Sequence, residues 1–169
     1  MTTVRRVAAA TLVGATLLFA GAQAARAQDA DTAEVQRYVL TDAGLAKYSQ
    51  ATKKLASLPR DPAACSDEGD GSGSQSIDQM AAKLGAVPGA KAAVQAAGMS
   101  VREYVVFSMS LFQNGLAAWA LDQPGGKLPQ GVSKANVDFV RKHDAQLKQL
   151  QGLSPDGCDD EAAEDEATE

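Results

Sequence analysis

The apolar stretch GMSVREYVVFSMSLFQNGLAAWAL, from Gly98 to Leu121, constrains the fold of this chain more than any other segment does. Its apolar residues recur at spacings of three and four, the period of a helix, and a membrane-spanning helix would have to place Arg102 and Glu103 in hydrocarbon. The sequence therefore predicts a mostly buried central helix. The residues predicted to share its broad apolar face are Val101, Tyr104, Val105, Ser108, Leu111, Phe112 and Trp119, with Phe107 and Met109 at its margins. The residues predicted to form its narrow polar sector are Arg102, Glu103, Ser110, Gln113 and Asn114.

Both ends of this helix carry local signals. The S-x-x-E sequence that begins at Ser100 is a capping box, and Met99 and Tyr104 occupy the two positions of a hydrophobic staple. The helix is therefore predicted to begin at Val101. It is predicted to end before Gln123-Pro124-Gly125-Gly126.

Residues 1–27 have the pattern of an export signal. Arg5 and Arg6 precede an apolar run from Val7 to Ala22, and Ala25-Arg26-Ala27 matches an A-x-A cleavage site. An uncleaved anchor is the alternative, but the run is short and interrupted, whereas a spanning helix needs about 20 apolar residues. The sequence predicts a cleaved signal peptide and a periplasmic or secreted protein with no membrane span after cleavage.

Cleavage after residue 27 would leave 142 residues with 13 basic and 21 acidic side chains, a formal charge of −8. A negative net charge argues against nucleic acid and anionic membrane surfaces as partners. The length is sufficient for one domain. We expect a helical domain over residues 28–155, followed by an acidic disordered tail over residues 156–169 that has eight acids and no base.

Four further helices are predicted from periodicity and caps. They run from Thr41 to before Pro59, from the cap Ser76 to Gly85, from Pro88 to Ala97 with Gly98 as a left-handed cap, and from the cap Asn136 to Gly152. Tyr38 to Leu40 is expected to be an extended arm. The segment Ser66 to Ser76 is expected to be a flexible loop, because it has no apolar residue to bury. The Gly- and Pro-rich connection from Pro124 to Ala135 is expected to wrap over the surface.

Cys65 and Cys158 are the two cysteines of the chain. An exported protein enters an oxidising compartment, so a disulfide between them is the simplest expectation. It would close a loop of 94 residues, for which chain entropy predicts a stabilisation of about 4 to 5 kcal/mol as an upper figure. Neither cysteine has a neighbouring cysteine or histidine at metal-ligand spacing.

The same disulfide would bring two groups of acids together. They are Asp67, Glu68 and Asp70 in the loop and Asp156, Asp159 and Asp160 in the tail. Calcium binding there is one interpretation, but the spacing does not match an EF-hand. Charge repulsion and solubility are the favoured interpretation, and no metal site is predicted.

His143 is the one histidine, and it falls within the apolar face predicted for the last helix. A pocket between the central and last helices, lined by Tyr104, Phe107, Trp119 and His143, is a candidate site for a small hydrophobic molecule or haem. The C-x-x-C-H attachment motif is absent and nothing fixes a second axial ligand. A histidine with a structural role is the favoured interpretation, and no cofactor is assigned.

The sequence lacks the residue patterns of common catalytic sites. With one histidine and both cysteines expected to be paired, a nucleophilic triad would need Ser or Thr with His143, and no nucleophile-elbow pattern is present. No phosphate-binding glycine loop is present either. The chain is therefore expected not to be an enzyme.

Three segments carry a resemblance to known sequences: LTDAGLAKYSQATKKL, AAGMSVREYVVFSMSLFQNGLAA and GGKLPQGVSKANVDFVRKH. Together the chain resembles small exported helical proteins of Gram-negative bacteria that carry no assigned activity, over most of Leu40 to Leu150. The resemblance implies an export-linked, all-helical domain and transfers no functional residue.

The sequence thus predicts an all-α bundle of four or five helices around the segment from Val101 to Leu121. Two classes of function stay open. In one, a surface formed by the Pro124 to Ala135 connection and neighbouring helices binds an envelope protein. In the other, the pocket beside the central helix holds a small apolar ligand.

Overall fold

A computed structural model describes the backbone of residues 20–59 and 75–153, and side chains from Gln28 onwards. Within these ranges the protein is all-helical, with seven helices and no strand. The helices are α1 (Ala20–Arg37), α2 (Asp42–Ala56), α3 (Ile77–Ala86), α4 (Ala90–Ala96), α5 (Val101–Leu121), α6 (Lys134–Lys142) and α7 (Asp144–Gln151).

Several predicted helix ends are confirmed by their capping bonds. The Thr41 hydroxyl accepts from the Gly44 N–H at 3.0 Å, and the Ser100 hydroxyl accepts from the Glu103 N–H at 3.0 Å. Ser76 and Gln79 form both bonds of a reciprocal capping box. These caps satisfy N–H groups that have no partner within the first turn of a helix, so short sequence motifs suffice to fix them.

Helix α1 was not predicted, and it is one reason why the described residues contain more than four or five helices. It is poor in apolar residues, with Val35 as its one buried side chain among those described. Its position depends instead on α5. The Ser110 hydroxyl donates to the Val35 carbonyl at 3.2 Å, and the Arg102 guanidinium pairs with Asp31 and Glu34. Tertiary contacts of this kind leave no periodic signal in the sequence.

The predicted last helix is two helices. The backbone leaves helical geometry at His143 (φ −105°, ψ 12°), which ends α6 and precedes α7. The predicted cap is also wrong: Ser133 precedes α6, and Asn136 lies buried inside it. The Asn136 amide instead bonds to backbone groups of Tyr38 and Leu40, which lie 98 and 96 residues away in sequence.

Helix α5 packs against α1, α2, α3, α4 and α6. Phe107, in the first half of α5, is fully buried; its ring stacks on Tyr48 with centroids 5.0 Å apart, and the Tyr38 ring contacts it edge-on at 5.9 Å. Towards the end of α5, Ala117 and Ala118 pack with Val137 of α6 in a separate small cluster. Within the described ranges, none of the helices is both long enough and apolar enough to span a bilayer.

The predicted faces of α5 need correction. Ser110 and Asn114, which the sequence predicts in the polar sector, are 0% and 3% exposed, whereas Phe112 and Trp119, which it predicts on the buried face, are 69% and 65% exposed. The reason is that α1 covers the side of α5 that carries Ser110, and their backbones approach closely enough for the hydroxyl bond to Val35. Small side chains permit that approach, and Phe112 and Trp119 face outwards.

Several predictions lie outside the described residues. These are residues 1–19 of the export signal predicted over residues 1–27, the flexible loop from Ser66 to residue 74, Cys65 and Cys158, the acidic groups beside them, and the tail over residues 156–169. Within the described part of the chain, no group of three or more potential ligands is placed to hold a metal ion.

Candidate binding groove

A groove with a volume of about 980 Å³ runs beside α5. Residues of α2 lie at its floor, and residues of α6 and α7 form the far wall. The lining residues are Tyr48, Thr52, Tyr104, Ser108, Leu111, Phe112, Gly115, Leu116, Ala118, Trp119, Asp122, Val140, Arg141, Asp144, Leu147, Lys148, Leu150 and Gln151.

The most exposed apolar side chains of the groove lie on α5 itself. Phe112, Leu116 and Trp119 are 69%, 52% and 65% exposed. Their spacing of four and three residues places them along one helix face, and Gly115 lies on the same face. We call these four residues the α5 stripe. A contiguous patch of large apolar side chains is the kind of surface that marks an interaction site on a soluble protein.

No contact within the described part of the chain explains why residue 115 is a glycine. A Cβ atom built at this position would meet nothing within 4 Å. Glycine in a helix interior costs about 1 kcal/mol relative to alanine, and here neither a close neighbour nor a left-handed backbone requires it. The space above Gly115 is therefore open to something outside the described chain.

The polar groups at the floor of the groove are paired across α2 and α5. The hydroxyls of Thr52 and Tyr104 lie 3.1 Å apart, and those of Tyr48 and Ser108 lie 3.4 Å apart. The Tyr48 and Tyr104 rings stack with centroids 4.8 Å apart. These contacts join the two helices and leave a floor of aromatic surface.

The charged residues at the rim are also paired with one another. Arg141 lies 2.5 Å from Asp122, and Lys148 lies 2.8 Å from Asp144. The four side chains are the charged members of the described lining, and their formal charges sum to zero. A molecule bound in the groove would therefore meet no net charge at its rim.

The structure brings together only two of the four residues predicted to line a pocket. Tyr104 and Trp119 line the groove. Phe107 is fully buried in the core, and His143 does not line the groove. Leu116 and Gly115 were missed by sequence reasoning, although an unexplained glycine inside the longest apolar helix is itself a signal of an unusual contact.

His143 lies at the junction of α6 and α7. Its ring packs on Phe139 with centroids 4.5 Å apart, and its Nε2 lies 2.8 Å from Asp42 Oδ1, an ion-pair distance. The Lys142 ammonium donates to the same oxygen at 3.3 Å. This bond and the Lys142 charge are the main causes that lower the pKa of Asp42, with a smaller contribution from His143. The arrangement links α2 to the α6–α7 junction.

A second cavity of about 600 Å³ lies between α1 and α5. Its lining includes Asp31, Thr32 and Gln113, together with Gln28 and Gln75 at the edges of the described side chains. Asp31 is already engaged, because its carboxylate accepts from the Ile77 N–H at 2.9 Å.

Chemically, the groove beside α5 is suited to binding by shape and apolar contact. Its described lining contains no histidine or cysteine. Comparison with protein-family models, with curated proteins and with solved structures gives no match for this chain.

Proposed function

We propose that this chain is an exported, non-catalytic helical domain that binds a protein partner through the α5 stripe. The single observation that carries the proposal is the exposure of Phe112, Leu116 and Trp119 along one face of the longest helix. Large aromatic side chains are enriched in the centres of protein interfaces, where they supply much of the binding energy.

The magnitude of this exposure supports a contact. A buried Phe or Trp side chain removes about 150 to 250 Å² from water. Phe112 and Trp119 are already about one third covered, so at about 25 cal/mol per Å² the burial of the exposed part of one of them stabilises a complex by roughly 2 to 4 kcal/mol before the costs of ordering. Two exposed aromatic residues and a leucine on one face are therefore a strong driving force for association.

A small apolar ligand is the second candidate, because the volume of the groove falls in the range of ligand sites, about 300 to 1,000 Å³. Haem ligation by His143 is not part of this proposal, since Nε2 lies against Asp42 and outside the groove.

Photo-crosslinking tests the proposed surface. A photoreactive phenylalanine analogue placed at Leu116 is expected to give a discrete protein adduct in cells, identified by its peptides, and the adduct should weaken in a Trp119→Ala background. The same analogue at Lys91, an exposed residue of α4 away from the groove, is the matched control. Loss of the protein adduct at Leu116, with an apolar molecule seen instead by native mass spectrometry, would favour the ligand.

Export and the disulfide are tested by mass. The proposal expects the protein of the periplasmic or secreted fraction to begin at Gln28. Alkylation without reduction should leave Cys65 and Cys158 unmodified. A chain that keeps residues 1–27 would refute cleavage, and alkylation of both cysteines would refute the disulfide.

A further inference from the structure

We infer that the partner of the α5 stripe is the same stripe on a second copy of this chain, in an antiparallel two-fold pair. This inference rests on the proposed function, since it names the partner of that surface. It is carried by the order of residues in the stripe, by the open space at Gly115 and by the charge of the rim.

The stripe is self-complementary about its midpoint. Phe112 and Trp119 are equidistant from the point between residues 115 and 116, and so are Gly115 and Leu116. Suppose that a two-fold axis passes through that point, perpendicular to α5. Each residue of one copy then faces the residue of the second copy that lies equally far from the axis on the other side. Leu116 of one copy then faces Gly115 of the other, and Phe112 faces Trp119 of the other.

Each of these apposed pairs is a favourable contact. The open position above Gly115 accepts the Leu116 side chain of the second copy, in the way that a ridge of one helix fits the groove of another. At each end of the stripe, Phe112 of one copy and Trp119 of the other form an aromatic pair. The glycine thus gains a role that no contact inside the described chain gives it.

The rim favours this occupant over a charged one. Asp122 and Asp144 are already neutralised by Arg141 and Lys148, so a second copy meets a rim of zero net charge. Because the rim charges already balance, an anionic lipid or a strongly charged peptide meets no net charge there that would attract it. The electrostatics of the rim therefore complement a neutral apolar surface, which the stripe of a second copy provides.

Sedimentation equilibrium of the exported, full mature protein tests this inference, with and without reductant so that an intermolecular disulfide is not mistaken for association. The wild-type protein is expected to show a monomer–dimer equilibrium. Gly115→Leu fills the space that Leu116 of the second copy would occupy, and it is expected to raise the dimer Kd about tenfold or more. Leu116→Ala removes the inserted side chain and is expected to act in the same direction.

Gly85→Leu is the matched control. Gly85 is also a helical glycine at which an added Cβ meets nothing within 4 Å, but it lies on α3 and does not line the groove. It should leave the dimer Kd unchanged, and circular dichroism should show that all three variants keep their helical content.

A wild-type protein that stays monomeric up to about 1 mM, the weak end of protein association, would overturn the inference. So would a dimer whose Kd is the same in Gly115→Leu and Leu116→Ala. If the protein is monomeric and Leu116 crosslinks to a different protein, the self-association fails while the proposed function stands. If Leu116 crosslinks to no protein, both fail.

Discussion

The side-chain amide of Asn136 binds the backbone at Leu40, 96 residues away in sequence: its Oδ1 accepts a hydrogen bond from the Leu40 N–H at 3.1 Å. Its Nδ2 donates to the Tyr38 carbonyl at 2.8 Å. Asn136 and Leu40 are both buried. The segment between α1 and α2 has no helical partner for these groups, so one amide of α6 satisfies both.

Asn136→Ala is expected to destabilise the protein by about 2 to 4 kcal/mol, because it leaves the buried Leu40 donor and the partly buried Tyr38 acceptor without partners, at roughly 1 to 2 kcal/mol each. Urea unfolding followed by circular dichroism measures the change. Asp138→Ala, which removes an exposed ion pair with Lys134 on the same helix, is the control and should change stability by about 0.5 kcal/mol or less. Equal effects of the two variants would contradict this account of Asn136.

Gly44→Ala is expected to destabilise the protein although alanine is the better helix former. A Cβ at residue 44 would lie 2.8 Å from Cε2 of Phe107, which is fully buried and cannot move aside. Overpacking of this kind costs about 1 to 3 kcal/mol. Gly85→Ala meets no neighbour and should stabilise by about 0.5 to 1 kcal/mol. Thermal unfolding should therefore move in opposite directions for the two variants, and a shift in the same direction would refute the contact at Gly44.

The carboxylate of Asp42 should titrate below its ordinary pKa of 3.8, mainly because Lys142 donates to it and carries a positive charge nearby. A carboxylate whose pKa is lowered by folding stabilises the folded state above its unfolded pKa, and that contribution is lost as the pH falls through the lower folded value. NMR titration should show the Asp42 pKa rise towards its ordinary value in Lys142→Met. Lys134→Met, on the same helix but paired with Asp138, should leave it in place. An unchanged Asp42 pKa in Lys142→Met would contradict the assigned cause.

Trp119 is the single tryptophan, so its fluorescence reports on the α5 stripe alone. Because it is 65% exposed in one copy, dilute protein should show red-shifted emission that iodide quenches readily. Raising the concentration should shift the emission to the blue and reduce quenching as the stripe is covered. In Gly115→Leu, the Trp119 side chain should stay exposed over the same concentration range. An emission maximum already at short wavelength in protein that sediments as a monomer would refute the outward placement of Trp119.

Much of the secondary structure follows from the sequence by itself. The start of α5 at Val101 and that of α3 at Ile77 are set by side chains within four residues, and the left-handed backbone of Gly98 (φ 79°) follows the same local logic. Such signals are local because a cap satisfies N–H groups of the adjacent turn. The helical class follows equally from the spacing of apolar residues.

Only the tertiary structure decided which side of α5 is covered. The spacing of its apolar residues identifies a helix, but nearly every side of this helix carries apolar residues, so hydrophobicity cannot say which side meets α1. The choice depends on contacts between distant residues, such as the Ser110 hydroxyl on the Val35 carbonyl and the Asn136 amide on the backbone of Leu40. Those contacts favour small and polar side chains at close helix approaches, and for that reason they leave Phe112 and Trp119 facing outwards.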